Sequence, residues 1–337
     1  MSKDPNKWIF QNKLLKDVEN FRLKLKYKGD KTKIETSKIL SEAVRTGSLD
    51  ISFNLNTLPK KKFQKLTSLT KLTMSAAGAS ELISEIKYLP NLVYLNLTGN
   101  YLVNLPFEIT SCSALRTLLL ASNKFTKVPS YLTKLTLLEE LSFEKCELEN
   151  ISGINANVQL RKLNLCGNKI SQLPEEFMQL TSLEHLDISD NLLEKLPEDF
   201  GKLIKIKELH VERNRLEYLP NSMNCMVKLR VLQIKPNPIK VFPRIWENMI
   251  ELDLLDLSSL KIEELPAEVV PQLRGFREII LSNNLITALP TELSTLGEVV
   301  ERIDLKNNPI IKWPITVRQM KNIEFNWSSI NINNVTE

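Results

Sequence analysis

The chain has 337 residues, 45 Lys+Arg against 40 Asp+Glu, a formal net charge of +5 and 42% hydrophobic residues. That supplies a core, yet no run approaches the ~18 apolar residues of a membrane-spanning helix. With only nine glycines, neither GxGxxG nor GxxxxGK[ST] occurs, so no phosphate-cradling loop is present.

Cys112, Cys146, Cys166 and Cys225 are scattered rather than clustered at either end, which predicts a reducing, cytoplasmic compartment. The opening MSKDPNKWIFQNK has no apolar stretch before a small-residue cleavage site and predicts no secretory signal. Residues 1–68 hold 16 Lys+Arg against 7 Asp+Glu, leaving 29 against 33 for the remainder. A basic lead segment therefore precedes a slightly acidic array.

Within residues 1–48, Phe10, Leu14, Val18, Phe21 and Leu25 follow helical spacing and predict a helix over about Asn6–Lys26. Thr36 or Ser37 is then expected to cap a second helix bearing Ile39, Leu40, Ala43 and Val44, with Gly47 as its stop. This helix is placed as the cover for the first strand layer. Leu49, Ile51, Leu55, Leu58 and Pro59 read as a degenerate first repeat of a solenoid spanning 49–325.

Regular units start at Leu69, Leu92, Leu115, Leu138, Leu160, Leu183, Ile206, Leu229, Leu252, Phe276 and Val300, spaced 22 to 24 residues apart. In each, apolar residues at positions 1, 4 and 6 predict a short strand, and those further on a helical or extended return. Position 9 is Asn in eight units (Asn100, Asn123, Asn168, Asn191, Asn214, Asn237, Asn284 and Asn308) and Cys146 in another. A buried amide there is expected to satisfy backbone groups of adjacent turns. Ala77 and Leu260 break the rule, and the backbone group that Leu260 cannot serve needs another partner. The unit at Leu138 is one residue short and lacks Leu-Pro, so its outer segment, ENISGINANVQ, is expected to differ in shape. Ile315, Val317, Met320, Ile323, Phe325 and Trp327 are expected to cover the far end, followed by a tail over 326–337.

The stretches NLTGNYLVNLPFEI, NLCGNKISQLPEEF, DISDNLLEKLPEDF and LSNNLITALPTEL give the pattern LxxLxLxxNxLxxLPxx[IF]xxL. It resembles the Ras-group branch of intracellular leucine-rich-repeat proteins over roughly residues 49–325. The resemblance implies an α/β solenoid, a horseshoe with a parallel inner β-sheet and a helical N-terminal cap. It also implies a non-catalytic, monomeric adaptor that binds a protein, either a small GTPase of the Ras class or a phosphatase subunit, with no cofactor.

On such strands positions 3, 5 and 7 face the open concave side, and equal positions of successive strands form columns ~4.8 Å apart. The columns place His185, Asp187, Glu208 and His210 at a polar centre. Tyr94 and Leu119 lie toward the N-terminal end, and Val231, Leu254 and Ile280 toward the C-terminal end. Apolar side chains on a wet sheet are candidate interface anchors. All nine residues are therefore candidate partner contacts.

Catalysis is not expected. Cys166 and His210 sit two strands and two residues apart, more than ~11 Å, against the ~3 Å that proton transfer requires. A metal site at His185, Asp187 and His210 lacks any ligand motif, and the net acidic array argues against nucleic acid. The rival reading is a peripheral membrane protein, in which Trp8, Ile9, Phe10, Leu14 and Val18 would lie on an anionic surface beside Lys7, Lys13 and Lys16. Lys60, Lys61 and Lys62 add a basic cluster nearby. A secreted bacterial effector acting inside a host cell would share all these features.

Overall fold

The computed structural model of the protein describes residues 31–51, 63–154 and 157–324. The expected Asn6–Lys26 helix, Leu55 to Pro59 of the first repeat, the Lys60–Lys62 cluster, Phe325, Trp327 and the tail lie outside those residues. Helix α1 (Lys31–Thr46) leads into β1 (Ser48–Asp50). One three-residue strand per unit follows: β2 (Lys71–Thr73), β3 (Tyr94–Asn96), β4 (Thr117–Leu119), β5 (Glu140–Ser142), β6 (Lys162–Asn164) and β7 (His185–Asp187). The series continues with β8 (Glu208–His210), β9 (Val231–Gln233), β10 (Leu254–Asp256), β11 (Glu278–Ile280) and β12 (Arg302–Asp304). A short helix α2 (Ile315–Arg318) and a last strand β13 (Ile323–Glu324) close the far end.

α1 begins at Lys31, earlier than Thr36 or Ser37, so neither residue is its cap. Thr and Ser inside a helix cost only about 0.5 kcal/mol relative to Ala, too little to end a helix whose Leu40 and Ala43 are buried on the first turns of the solenoid. Gly47 stops it as expected, with φ +69° and its N–H donating to Ala43 O at 2.9 Å. Ile51 and Leu49 are buried behind β1, which pairs with β2 in parallel register.

The predicted period appears as a stack. The position-4 residue at the middle of each strand is inside, at 0 to 2% exposure from Leu49 through Leu209. After β2 to β8 and β10 to β12 the chain turns at position 8 with positive φ: Ala76, Gly99, Ser122, Lys145, Gly167, Asp190, Arg213, Ser259, Asn283 and Asn307 all lie between 51° and 72°. The outer return is mostly a short 3-10 helix entered from an extended proline, as at Pro106, Pro129, Pro174, Pro220, Pro266 and Pro290. A proline fixes φ and needs no donor at that point. In the short unit at Leu138, buried Asn157 donates to Leu132 O and Leu135 O, both at 3.0 Å.

The position-9 amides join the turns. Asn191 Nδ2 donates to Leu165 O of the preceding unit at 2.9 Å and to Ile188 O of its own at 3.1 Å, while Oδ1 accepts from Ile170 N at 3.0 Å. The same triad recurs at Asn100, Asn123, Asn168, Asn214, Asn237, Asn284 and Asn308. Cys146 supplies only a weak donor, Sγ to Leu120 O at 3.4 Å.

The inner sheet is interrupted once among the described residues. β1 to β9 form one nine-stranded parallel sheet and β10 to β13 another of four. Two residues account for the break. Pro236 stands at position 8 of its unit, where its ring forbids positive φ and it has no N–H to donate to the next strand. Leu260 stands at position 9 of the next unit, so no amide reaches back to Ile234 O and Ile239 N. The outer side stays joined, with Lys261 N donating to Ile239 O at 3.0 Å. Across the gap Lys235 Nζ reaches Ser258 Oγ at 2.9 Å and pairs with Asp256.

Replacing Asn191 by Ala leaves Ile170 N without its acceptor in a dry interior, while Leu165 O and Ile188 O keep the amides of Asn168 and Asn214. We expect a loss of about 1–3 kcal/mol, the cost of one unmet buried group. Urea unfolding monitored by circular dichroism measures it.

Candidate functional site

The columns expected on the inner face exist in register. Lys71, Tyr94, Thr117, Glu140, Lys162, His185, Glu208 and Val231 are successive Cα partners, as are Thr73, Asn96, Leu119, Ser142, Asn164, Asp187, His210 and Gln233. Beyond the break Leu254, Glu278 and Arg302 align, as do Asp256, Ile280 and Asp304.

The nine candidate residues differ in what they offer. Leu254 is exposed at 37%, and Tyr94, Val231 and Ile280 are half-buried. Leu119 is buried at 8%, so it is a poor anchor. It lines a shallow depression of about 50 Å³ with Thr98, Ala121, Ser142, Glu144 and neighbouring side chains. The Tyr94 ring carries the Lys71 ammonium 4.9 Å from its centroid, a cation–π contact.

Asp187 has a local task that reading the columns did not reveal. Its Oδ1 accepts from Ser189 N at 3.0 Å and from Ser189 Oγ at 2.5 Å. Asn96, Asn164, Asp256 and Asp304 make the same contact to the N–H two residues on, at 2.9 to 3.0 Å. The signal was the recurrence of Asn or Asp at position 5, the residue types that bond their own backbone two residues ahead. Asp187 and His210 are neighbours across β7 and β8, as expected, but no hydrogen bond joins them.

The two histidines face other carboxylates. His185 Nδ1 lies 3.0 Å from Glu208 Oε2 without the alignment of a hydrogen bond, and His210 Nδ1 lies 3.9 Å from Glu212 Oε2. Glu212 Oε2 is shut off from solvent and accepts no hydrogen bond. Burial is the main cause that pushes the Glu212 carboxyl above its usual range, with His210 opposing and Asp187 adding to the rise.

No set of three His, Cys, Asp or Glu with metal-binding geometry occurs among the described residues. The thiols of Cys112 and Cys166 are pushed up to about 12 and that of Cys146 to about 11, in each case chiefly by burial. These three stay protonated at neutral pH and are weak nucleophiles.

Along one edge, position 2 carries ion pairs between units: Arg116 with Glu139, Arg161 and Lys207 with Glu184, and Arg277 with Glu301. Glu184 is the best held, accepting from Lys207 Nζ at 2.6 Å and from Arg161 Nε at 2.7 Å. These contacts, Lys207 first, lower its carboxyl to about 2.

A family model described as "Leucine-rich repeat region" matches residues 141–237. The solved structure of a leucine-rich-repeat protein from Leptospira interrogans superposes with TM-score 0.72 at 30% identity, covering 88% of this chain and 81% of that one. The chain belongs to the leucine-rich-repeat proteins. Among curated relatives, the probable inactive serine/threonine-protein kinase roco10 of Dictyostelium discoideum is 30% identical over 126 residues, 36% of this chain and 5% of its own length. The adenylate cyclase of Schizosaccharomyces pombe is 34% identical over 159 residues, 46% of this chain and 9% of its own length. The chain thus spans under a tenth of either curated relative.

The Glu184 pairing sets a pH dependence. Its folded value is depressed from 4.5 to about 2, so its contribution is complete above pH ~4.5 and is lost as pH falls toward ~2. Stability measured from pH 6 downward should therefore fall less steeply in Glu184→Gln than in the unaltered protein between those values. Parallel curves would contradict the assignment.

Proposed function

We propose that the protein is a non-catalytic binding module whose inner sheet docks a protein partner. The observation that carries this reading is the register itself. Side chains at positions 3 and 5 stand in columns across nine hydrogen-bonded strands, a broad and rigid surface. Repeat arrays use such extended concave surfaces for binding. On it, Tyr94, His185, Glu208, His210, Val231, Leu254 and Ile280 are the contacts we favour, Asp187 and Leu119 being engaged or buried within the fold.

The partner class we propose is a small GTPase of the Ras type or a phosphatase catalytic subunit, acting in signal transduction in the cytoplasm. The support is the 23-residue unit with Leu-Pro after the asparagine, which resembles the Ras-group branch, together with the four cysteines, all unpaired. A monomer suffices for this role.

Affinity capture from cell extract followed by mass spectrometry tests the reading. Leu254→Asp combined with Ile280→Asp should weaken capture of the specific partner at least about tenfold, the effect of losing one buried anchor. Val241→Asp, at an exposed site outside the strands, should leave capture unchanged. Equal capture by all three proteins would remove the inner face as the docking surface.

A further inference from the structure

The break between β9 and β10 changes the inner face as well as the backbone. In every other unit the position-4 residue is sealed: Leu186, Leu209, Leu255, Ile279 and Ile303 are 0 to 1% exposed. Leu232, at position 4 of β9, is only partly buried, and all three residues of that strand share this partial exposure. The cause follows from the interruption. With no ladder to β10, nothing closes over the outer flank of β9, and its core leucine meets the surface. Val231 precedes it on β9, and Leu254, at position 3 of β10 across the gap, is exposed at 37%.

The charges around this apolar opening are unequal. On the β10 side Lys235 and Asp256 neutralise each other, and Arg230 pairs with Glu251 at 2.5 Å. On the β8 side Glu208 is the register neighbour of Val231. Glu212 follows two residues beyond the end of β8, its nearest cation, Arg213, being committed to Asp190 at 2.6 Å. The flank toward β8 therefore presents the Glu208 carboxylate, which has no Lys or Arg partner among the described residues and lies 3.0 Å from His185 Nδ1, while Glu212 Oε2 is shut off from solvent.

Resting on the reading of the inner face as a docking surface, we infer that the sheet break is its anchor point, where Leu232, Val231 and Leu254 receive an aliphatic side chain of a partner segment that carries Lys or Arg toward Glu208. An aliphatic residue here covers apolar surface that no element of the chain covers. An adjacent cation complements Glu208, because Glu278, on the far side of Leu254, is already paired with Arg302 at 3.5 Å, and this fixes the direction of the segment.

Random peptides displayed on phage and selected on the full chain test this directly. The expected result is enrichment of sequences with Leu, Ile, Val or Met next to Lys or Arg. Affinity of a synthetic enriched peptide should fall about tenfold or more in Leu254→Glu and about threefold in Glu208→Gln, both surface changes that leave the fold intact by circular dichroism. Enrichment of acidic or uncharged sequences, or no enrichment, overturns the inference. A peptide lost on Tyr94→Ala but indifferent to Leu254→Glu would keep the inner face as a docking surface and reject the break as its anchor. Indifference to both would reject both. Concentration-dependent dimerisation abolished by Leu254→Glu would assign the opening to a second copy of this chain and overturn the peptide reading.

Discussion

The stack depends on the position-9 amide that eight of its eleven units carry. A three-residue strand makes too few backbone bonds to hold its neighbour in register. A position-9 asparagine such as Asn191 adds two donors and an acceptor that tie the carbonyls of two turns to an N–H of the earlier one. The interior supplies no water, so these groups must be met by the protein. The left-handed turn at position 8 places that amide, and the leucines around it provide the apolar area. Stack and inner face both follow from this contact.

The same contact explains where the regularity ends. Pro236 removes the left-handed turn and its N–H at one unit, and Leu260 removes the amide at the next. Either change weakens the joint between the two turns. Together they part the sheet between β9 and β10, while Lys235 spans the gap with its side chain. A surface feature particular to this chain, the exposed edge of Leu232, thus arises from two departures from the repeat rule.

Much of this was legible in the sequence. The period, the parallel strands and the columns of positions 3 and 5 came from the spacing of apolar residues, because burial imposes alternation within a strand. Leu260 stood out as a missing hydrogen-bonding group. The consequence of Pro236 did not, since its meaning depends on φ at position 8, which apolar spacing does not encode. Its outward position makes Asp187 a candidate contact, although an outward aspartate can still serve the next turn of its own backbone. Leu119 also faces outward by its position, yet it is only 8% exposed between Asn96 and Ser142 of the adjacent strands. The start of α1 was placed late because Thr36 and Ser37 look like caps, whereas packing of the later turns outweighed that preference. The carboxylate partners of the histidines, Glu208 and Glu212, depend on side-chain conformation and were out of reach of a column argument.

Residue-resolved amide hydrogen exchange tests most directly the claim that the asparagine-and-turn contact controls the sheet. The backbone N–H groups of Val211 and Val231 donate across β8 and β9, to Gln233 O and Lys207 O. Their counterparts one unit later, Ile234 and Leu254, face the break. The account predicts that Ile234 and Leu254 exchange markedly faster than Val211 and Val231, and that Leu260→Asn with Pro236→Gly slows them. Equal protection at all four positions in the unaltered protein would contradict it.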